Sequence, residues 1–410
     1  MPSKLSPSHL RIINLSPRAR LALSLMAVSA LGSYAGMTMP VFRSLLRDQL
    51  QLQETQYGLL LSIGMVPGAM GTLLGGLLTR SSGWQRLPPV LAIAVAAAYG
   101  LIAATRGFPW LLVSLVLCAI GSHVMTVMTQ NGVVALFPDA RRRLLTLQMV
   151  VGSCAAALFT LLAEWLLGWS ARGDATRFHL ALRLPYLGIA MLYLALIPAL
   201  RAFARRERTS QLQAQTPAAS TPNLTQRRRA LLCILAMTIH ASADNVLMLW
   251  LPRLWEESAM SGFFKPGYIM SAYSLCYVVS RSCLALLPES RGRRLFLCVP
   301  GFFGCAMLLI ALLNGGEAGV LCYLAAAFLW ACEFPAFMAV LSTNSQRWFG
   351  LGLAVVMISS GLITTGASTA IGWALQQQLA TLRQLLLIGP LFFATVGICG
   401  IALCRHDNKA

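Results

Sequence analysis

Five histidine, acidic or basic side chains lie well away from the ends of long apolar stretches in this 410-residue sequence: His123, His240, Asp244, Arg281 and Glu333. A charge is costly to place in a hydrocarbon environment, so an ionisable residue there is a candidate for function by default. A carboxyl group in such surroundings holds its proton more readily than in water, and it can load and release that proton at accessible pH. The residue types therefore predict proton coupling, with Glu333 or Asp244 as the proton carrier.

Asp244 follows His240 by one helical turn, so the two side chains share a helix face. With the adjacent Asn245 they form a polar cluster that suits either a substrate or a proton. Structural roles compete with these functional ones. Glu333 also suits helix packing through a buried hydrogen bond. Arg281 suits an anionic group, a pairing with Glu333, or a side chain that reaches back to the cytoplasmic surface.

Uncharged polar groups form a second set of candidates. Tyr34 lies in the first apolar stretch, and Gln130 and Asn131 follow His123 in the fourth. Together they predict a site for a neutral polar ligand. The alternatives are hydrogen bonds between helices, worth about 0.6 kcal/mol each, and for His123 a bond to a neighbouring backbone carbonyl.

Apolar segments of about 20 residues, long enough to cross a bilayer, position these candidates. Hydrophobic residues make up 57% of the chain and charged residues 11%, far fewer charges than a soluble domain carries. We expect an all-α membrane protein with twelve transmembrane helices. The expected spans are 21–42, 56–79, 88–105, 110–136, 144–168, 182–203, 230–252, 266–287, 295–313, 318–342, 350–374 and 384–404.

Residues 204–228 are polar, rich in Gln, Thr, Ala and Pro, and basic at both ends, which is typical of a flexible linker. The sequence therefore predicts an N-terminal six-helix bundle (1–203), a cytoplasmic linker (204–228) and a C-terminal six-helix bundle (229–410), related by pseudo-symmetry. Lys and Arg concentrate in the N-terminus, the linker and alternate loops. This pattern predicts a multi-pass protein of the cell inner membrane with both termini in the cytoplasm.

The segment between the eighth and ninth expected spans has the acid-R-x-G-R-R pattern. It comprises Glu289, Arg291, Gly292, Arg293 and Arg294. This pattern resembles the signature of major facilitator transporters, in which it recurs in each half. The resemblance implies a gating loop whose acid and arginines pair across neighbouring helix ends in one conformational state. In the equivalent first-half loop Arg80 matches, but Thr79 stands where the signature has an acid.

Short patches are similar to the fucose/proton symporter family within that superfamily. They comprise Trp330 to Phe337, Phe349-Gly350, Tyr273 to Arg281, and Asn131 with Phe137-Pro138-Asp139. This similarity implies a sugar-like substrate moved together with a proton.

Several function classes are excluded by the sequence. It has no P-loop, no C-x-x-C pair and no H-E-x-x-H or G-x-S-x-G motif. We therefore expect no enzyme activity, no metal and no cofactor. The formal net charge of +19 is spread in short clusters between apolar stretches, a pattern that sets membrane topology and argues against a nucleic-acid partner.

The sequence thus predicts a secondary active transporter that moves a small polar metabolite, such as a sugar-like compound, by alternating access. Proton coupling is expected, the bilayer is its environment and the monomer is the expected functional unit. The alternative is a proton-driven exporter of a drug or siderophore-like amphipathic compound, because methionines and aromatic residues in the spans also suit an apolar cavity.

Overall fold

The computed structural model describes residues 16–42, 46–47, 50–79, 81, 83–105, 107–137, 141–170, 175–207, 224–257, 264–286, 289–344 and 346–407. Throughout these residues the regular secondary structure is helical, with no β-strand. This agrees with the all-α prediction.

The helices described before residue 208 are α1 (Pro17–Leu31), α2 (Tyr34–Thr38), α3 (Glu54–Ser62), α4 (Met65–Leu78), α5 (Leu87–Ala104), α6 (Phe108–Leu136), α7 (Arg141–Ser170), α8 (Ala175–Ala195) and α9 (Ile197–Glu207). A short 3₁₀ turn, Trp84–Arg86, leads into α5. The helices described after residue 223 are α10 (Leu224–Glu257), α11 (Pro266–Leu286), α12 (Glu289–Asn314), α13 (Gly316–Trp330), α14 (Glu333–Asn344), α15 (Gln346–Gln376), α16 (Leu382–Leu386) and α17 (Gly389–Asp407).

Ten helical segments within the described residues are long and apolar enough to cross a membrane. They are Glu54–Leu78, Trp84–Ala104, Phe108–Leu136, Leu147–Ser170, Arg183–Arg205, Gln226–Glu257, Leu295–Asn314, Gly316–Leu341, Leu351–Gln376 and Leu382–Arg405. These ten coincide with ten of the twelve expected spans. The protein is therefore a multi-pass membrane protein, while the count of twelve in two bundles stays a prediction.

The two remaining expected spans correspond to helices that are shorter or more polar. The first, 21–42, is divided into α1 and α2 by a turn at Gly32 and Ser33. The eighth, 266–287, is the continuous helix α11, whose tyrosines, serines and Arg281 lower its hydropathy. Polar residues lower the mean hydropathy of a helix, so α11 is less apolar than the ten segments, and its crossing of the membrane stays a prediction.

Three of the ten spanning segments are interrupted near the middle, one of them by a single turn residue, Leu196, between α8 and α9. The chain turns at Ile63 and Gly64 between α3 and α4, and at Ala331 and Cys332 between α13 and α14. Irregular backbone at membrane depth is tolerated where protein buries it or where it lines a cavity. Ala331 and Cys332 are buried, so protein surrounds that interruption, whereas Ile63 and Gly64 are half-buried.

The predicted linker is helical at both ends. Helix α9 extends to Glu207 and α10 begins at Leu224, while 208–223 lie outside the described residues. Leu200 and Phe203 are buried, which explains why the helix continues as an amphipathic segment beyond the apolar span.

Three helix pairs connect the N-terminal part of the chain with the C-terminal part. Helix α7 packs along α11, and α15 packs along both α3 and α4. The contacts with α15 depend on glycine, since a Cβ at Gly372 would lie 2.5 Å from the carbonyl oxygen of Glu54. A Cβ at Gly58 would likewise lie 2.4 Å from the carbonyl oxygen of Ser368. Small residues at these positions let the two backbones touch.

Polar contacts reinforce one end of this junction. Arg253 of α10 forms an ion pair with Glu54 of α3, and Thr55 donates to the Gln376 amide oxygen at 2.6 Å. Nearby, Glu164 Oε2 of α7 accepts from the Gly267 backbone nitrogen of α11 at 3.0 Å. We call this region, defined by these residues, the closed end.

Gly372→Ala should destabilise the closed end. Its methyl group would overlap the Glu54 carbonyl, and overpacking of this kind costs roughly 1–3 kcal/mol. We expect the midpoint of thermal unfolding in detergent to fall by several degrees. The matched control is Gly366→Ala on the same helix, where a Cβ meets nothing within 4 Å. Equal midpoints for the two variants would show that the helices do not pack this closely.

Candidate functional site

The carboxylate of Asp244 is held by two tyrosines. The Tyr273 hydroxyl donates to Asp244 Oδ1 at 2.6 Å, and the Tyr277 hydroxyl donates to Oδ2 at 2.7 Å. Asp244 lies on α10 and both tyrosines lie on α11, one helical turn apart. Hydrogen bonds to an ionised acceptor are shorter and stronger than neutral ones, so these distances suit a charged carboxylate.

Tyr277 connects this carboxylate to two further side chains. The Trp330 indole nitrogen donates to the Tyr277 hydroxyl at 2.9 Å, and the Arg281 guanidinium lies 4.7 Å from the centre of the Tyr277 ring. The Trp330 ring in turn stacks on Phe393, with centroids 4.1 Å apart and planes 6° from parallel. The result is a rigid aromatic wall beside a fixed negative charge.

A second acidic group, Glu333, lies next to this wall. Its Oε2 is 2.9 Å from Nδ1 of His240, and both side chains are almost fully buried. The other oxygen, Oε1, is also buried and has no hydrogen-bond partner within the described part of the chain. Such a group in a native structure calls for a physical reason, and a carboxyl that exchanges a proton supplies one.

The interruption of the helix places Glu333. It is the first residue of α14, directly after the turn at Ala331 and Cys332, so its carboxyl lies at a helix N-terminus, where negative charge is favoured. Pro335 in the first turn needs no hydrogen-bonded N–H there. The end of α13 leaves carbonyl groups without helical partners, and Ala331 receives a hydrogen bond from Arg281 Nε at 3.4 Å.

Arg281 also joins the cluster to the N-terminal part of the chain. Its Nη1 donates to the Ser153 hydroxyl of α7 at 3.2 Å. Asp244, Tyr277, Arg281, Glu333 and His240 therefore form one polar cluster beside the contact between the two parts. We call these five residues the acidic cluster.

The predicted candidates fall into two groups. His240, Asp244, Arg281 and Glu333 come together in the acidic cluster, and the half-buried Asn245 lies beside Asp244 in sequence. The pairing of Arg281 with Glu333 does not form, because Glu333 contacts His240 and Arg281 donates to Ala331 and Ser153.

The candidates of the N-terminal part have contacts of their own. His123 Nδ1 lies 2.8 Å from the Ala119 carbonyl oxygen of its own helix, and its ring rests against Gly68. Asn131 is exposed and donates to the Val127 carbonyl at 3.0 Å, while Gln130 is half-buried. These contacts favour a packing role for His123.

Tyr34 lies in a buried aromatic group. Its ring meets Phe159 and Tyr186 edge-on, with centroids 4.9 and 5.3 Å apart. Tyr34 begins α2, directly after the interruption of the first expected span. It therefore occupies a position that resembles that of Glu333 at the start of α14.

The side chains of the predicted gating residues lie outside the described part of the structure. Arg80 lies outside the described residues. Residues 289–294 form the first turns of α12, so their backbone is helical where a loop was expected, and their side chains lie outside the description. Their gating role stays a prediction.

Sequence reasoning missed the roles of Tyr273, Tyr277 and Ser153. The spacing of Tyr273, Tyr277 and Arg281, each four residues apart, was the available signal, since it places all three on one helix face. Ser153 gave no signal, because its role depends on how α7 meets α11.

Tyr277→Phe should lower the midpoint of thermal unfolding of the purified protein by several degrees, because the hydrogen bond from its hydroxyl to Asp244 is lost and a hydrogen bond to a charged group contributes roughly 1.5–3 kcal/mol. The ring beneath Arg281 remains. The control is Tyr323→Phe, since Tyr323 is buried against Tyr273 and its hydroxyl has no hydrogen-bond partner among the described residues. The midpoints of the two purified variants in detergent are the measurement, and equal midpoints would refute the role of the hydroxyl.

The comparisons with solved structures agree on the fold. A bacterial homolog of the human lysosomal transporter Spinster, in an inward-facing conformation, has a TM-score of 0.70 at 14% identity and aligns over 96% of this chain and 98% of its own. The xylose transporter XylE from E. coli, inward open, has a TM-score of 0.65 at 11% identity over 93% and 95%. The E. coli fucose:proton symporter FucP has a TM-score of 0.60 at 16% identity over 94% and 98%.

At these identities the neighbours establish the fold alone. No curated protein matched the sequence. The sequence profile of the Major Facilitator Superfamily, however, matches residues 22–368, which is most of the chain and includes every residue of the acidic cluster. The ten membrane-spanning helices and the structural neighbours agree with this match. The chain is therefore a membrane transporter, not an enzyme, and it belongs to the major facilitator superfamily.

Proposed function

We propose that this protein is a secondary active transporter that moves a small polar metabolite together with a proton. The acidic cluster carries the proposal, because it combines the buried Glu333 and the partly buried Asp244 with an interrupted helix beside the junction of the two parts of the chain. Ionisable groups at this depth are costly and mark substrate or proton pathways. Substrate sites in transporters of this general design lie near the midplane, between the repeats.

The Glu333–His240 pair is the proposed proton site. One proton can lie on either His240 or Glu333. Oε1 of Glu333 has no hydrogen-bond partner among the described residues, so its surroundings can differ between the outward-open and the inward-open state. Glu333 takes up a proton when the pathway opens to the outside, which removes a buried charge and favours substrate binding and rocking. Release of that proton on the cytoplasmic side returns the carrier to its starting state.

Asp244 and the aromatic wall form the proposed substrate site. A carboxylate accepts hydrogen bonds only, while tyrosine hydroxyls both donate and accept, so the set suits a ligand with several hydroxyl groups. Trp330 and Tyr277 are buried, so they form the fixed wall behind this carboxylate, and ligand pockets commonly combine apolar walls with a few placed polar groups. This chemistry supports a sugar-like substrate, the class named for the fucose and xylose neighbours.

The closed end fits one state of an alternating-access cycle. With both termini in the cytoplasm, as we propose for a protein of the inner membrane, the end at Glu54 and Arg253 faces outward. The molecule is then closed to the outside. Separation of α3 from α15 and of α7 from α11 would open the outer side. Both contacts lie within one chain, so a monomer can make this movement.

A ligand panel on the purified protein tests the substrate class. Neutral sugars and polyols should raise the midpoint of thermal unfolding and change Trp330 fluorescence, because a ligand that binds only the folded state stabilises it. The same ligands should fail on Asp244→Asn. Stabilisation by hydrophobic cations or siderophore-like compounds alone would replace this proposal with the exporter.

A further inference from the structure

A groove lies at the end of the molecule opposite the closed end, away from the acidic cluster. It encloses about 420 Å³ between the start of α5 and the end of α9. Three arginines line it, Arg86 from the turn before α5 and Arg201 and Arg205 from α9, together with Pro89, Val90 and Ile93 of α5.

The three arginines carry positive charge that the described residues do not neutralise. All three are exposed, and Arg201 and Arg205 are one helical turn apart on the same face of α9. Among the side chains that the structure describes, no carboxylate lies within 4 Å of them. The groove therefore presents three guanidinium groups to an anion.

Buried aromatic contacts hold the two walls together. Trp84 of the 3₁₀ turn packs on Phe203 of α9, with ring centroids 5.8 Å apart. Phe203 is fully buried, and its ring fills the space above Gly132 of α6. The arginines thus project from a fixed framework, which limits the conformational cost of ordering them around a ligand.

One wall of the groove continues into the lipid-facing surface. Val90 and Ile93 are 64% and 50% exposed, on a helix that is long and apolar enough to span the membrane. An apolar surface directly beneath a basic one matches the two ends of a phospholipid. A soluble anion would use the arginines and leave this apolar wall unused.

We propose that this groove binds an anionic phospholipid from the adjoining leaflet. Arg86, Arg201 and Arg205 hold the phosphate and the headgroup through charge-assisted hydrogen bonds, for which the guanidinium fork is suited. One acyl chain runs along Val90 and Ile93. Basic pockets between membrane helices bind anionic headgroups by the same chemistry. The site is separate from the transport site and joins α5 to α9 through the lipid.

Native mass spectrometry of the detergent-purified full chain tests the proposal. Titration with palmitoyl-oleoyl phosphatidylglycerol should give one tightly bound lipid, in preference to the phosphatidylcholine of the same chains. The triple variant Arg86→Gln/Arg201→Gln/Arg205→Gln should lose the preference. Each single variant should weaken phosphatidylglycerol binding roughly fivefold, since a basic residue near an anionic lipid contributes about 1 kcal/mol.

The control is Arg227→Gln/Arg228→Gln/Arg405→Gln, which removes the same charge from exposed arginines at the start of α10 and near the end of α17. It should bind phosphatidylglycerol as the unmodified protein does. An equal loss in both triple variants would mean non-specific attraction by net charge and would overturn the proposal. Unchanged binding in the groove variant, or displacement of the lipid by millimolar inorganic phosphate, would overturn it as well.

Discussion

Glu333→Gln is expected to abolish substrate-driven proton movement while leaving substrate exchange across the membrane intact. Glutamine has nearly the same shape and can still bond His240, so the packing around α14 is preserved. It cannot, however, release a proton. The carrier would rock with its substrate but without the protonation step that drives accumulation, and uptake against a gradient would fall to the rate of protein-free liposomes.

The matched control for this variant is Glu317→Gln. Glu317 is exposed in the first turn of α13, on the same spanning segment as Glu333. The two variants therefore make the same chemical change at an exposed and at a buried position. Exchange is measured with labelled substrate at equal concentrations on both sides, and accumulation is measured under an imposed pH gradient. Loss of exchange together with accumulation would mean that Glu333 has a structural role only.

Asp244→Asn is expected to weaken substrate binding by about 100-fold. In the proposed site a hydroxyl group of the ligand donates to this carboxylate, and a hydrogen bond to a charged group contributes roughly 1.5–3 kcal/mol; the carboxylate is also no longer held by Tyr273 and Tyr277 as before. The amide also presents an NH₂ group to one tyrosine hydroxyl. Two hydrogen-bond donors then face each other, unless the O–H bond of that tyrosine rotates away and its oxygen accepts. Binding to the purified protein, measured by calorimetry or tryptophan fluorescence, gives the ratio.

A triple variant separates binding from folding. Removing both partners of a buried hydrogen bond is far less costly than removing one, so Asp244→Asn/Tyr273→Phe/Tyr277→Phe should recover part of any stability that Asp244→Asn loses. It should not recover binding. If affinity returned with stability, Asp244 would be a packing residue and the substrate site would lie elsewhere.

The ionisable residues inside the membrane can be identified from the sequence, because the free-energy cost of placing a charge in hydrocarbon does not depend on the detailed fold. Glu333, Asp244 and His240 can be identified on that ground alone. Their arrangement cannot be predicted in the same way, since His240 and Glu333 are 93 positions apart and only the packing of α10 against α14 brings them together. For the same reason a pairing of Arg281 with Glu333 is equally compatible with the sequence, whereas the structure pairs Glu333 with His240.

The spans show a similar division. Ten of the expected segments are long, apolar helices, because length and hydropathy suffice to define them. The turn at Ala331 and Cys332 was not predicted, since these two residues and the preceding Trp330 are as apolar as the helix they interrupt. Pro335 was the available signal, two positions after the new helix begins. Glu333 owes its position to that turn.

Proton movement in liposomes directly tests proton symport through Glu333. The purified protein is reconstituted with a pH-sensitive dye inside, and a sugar that stabilises the protein is added outside without an imposed pH gradient. We expect the interior of the liposomes to acidify as substrate enters down its gradient. This should occur with the unmodified protein and with Glu317→Gln but not with Glu333→Gln. Substrate entry with no pH change, or alkalinisation as substrate enters, would contradict proton symport through Glu333.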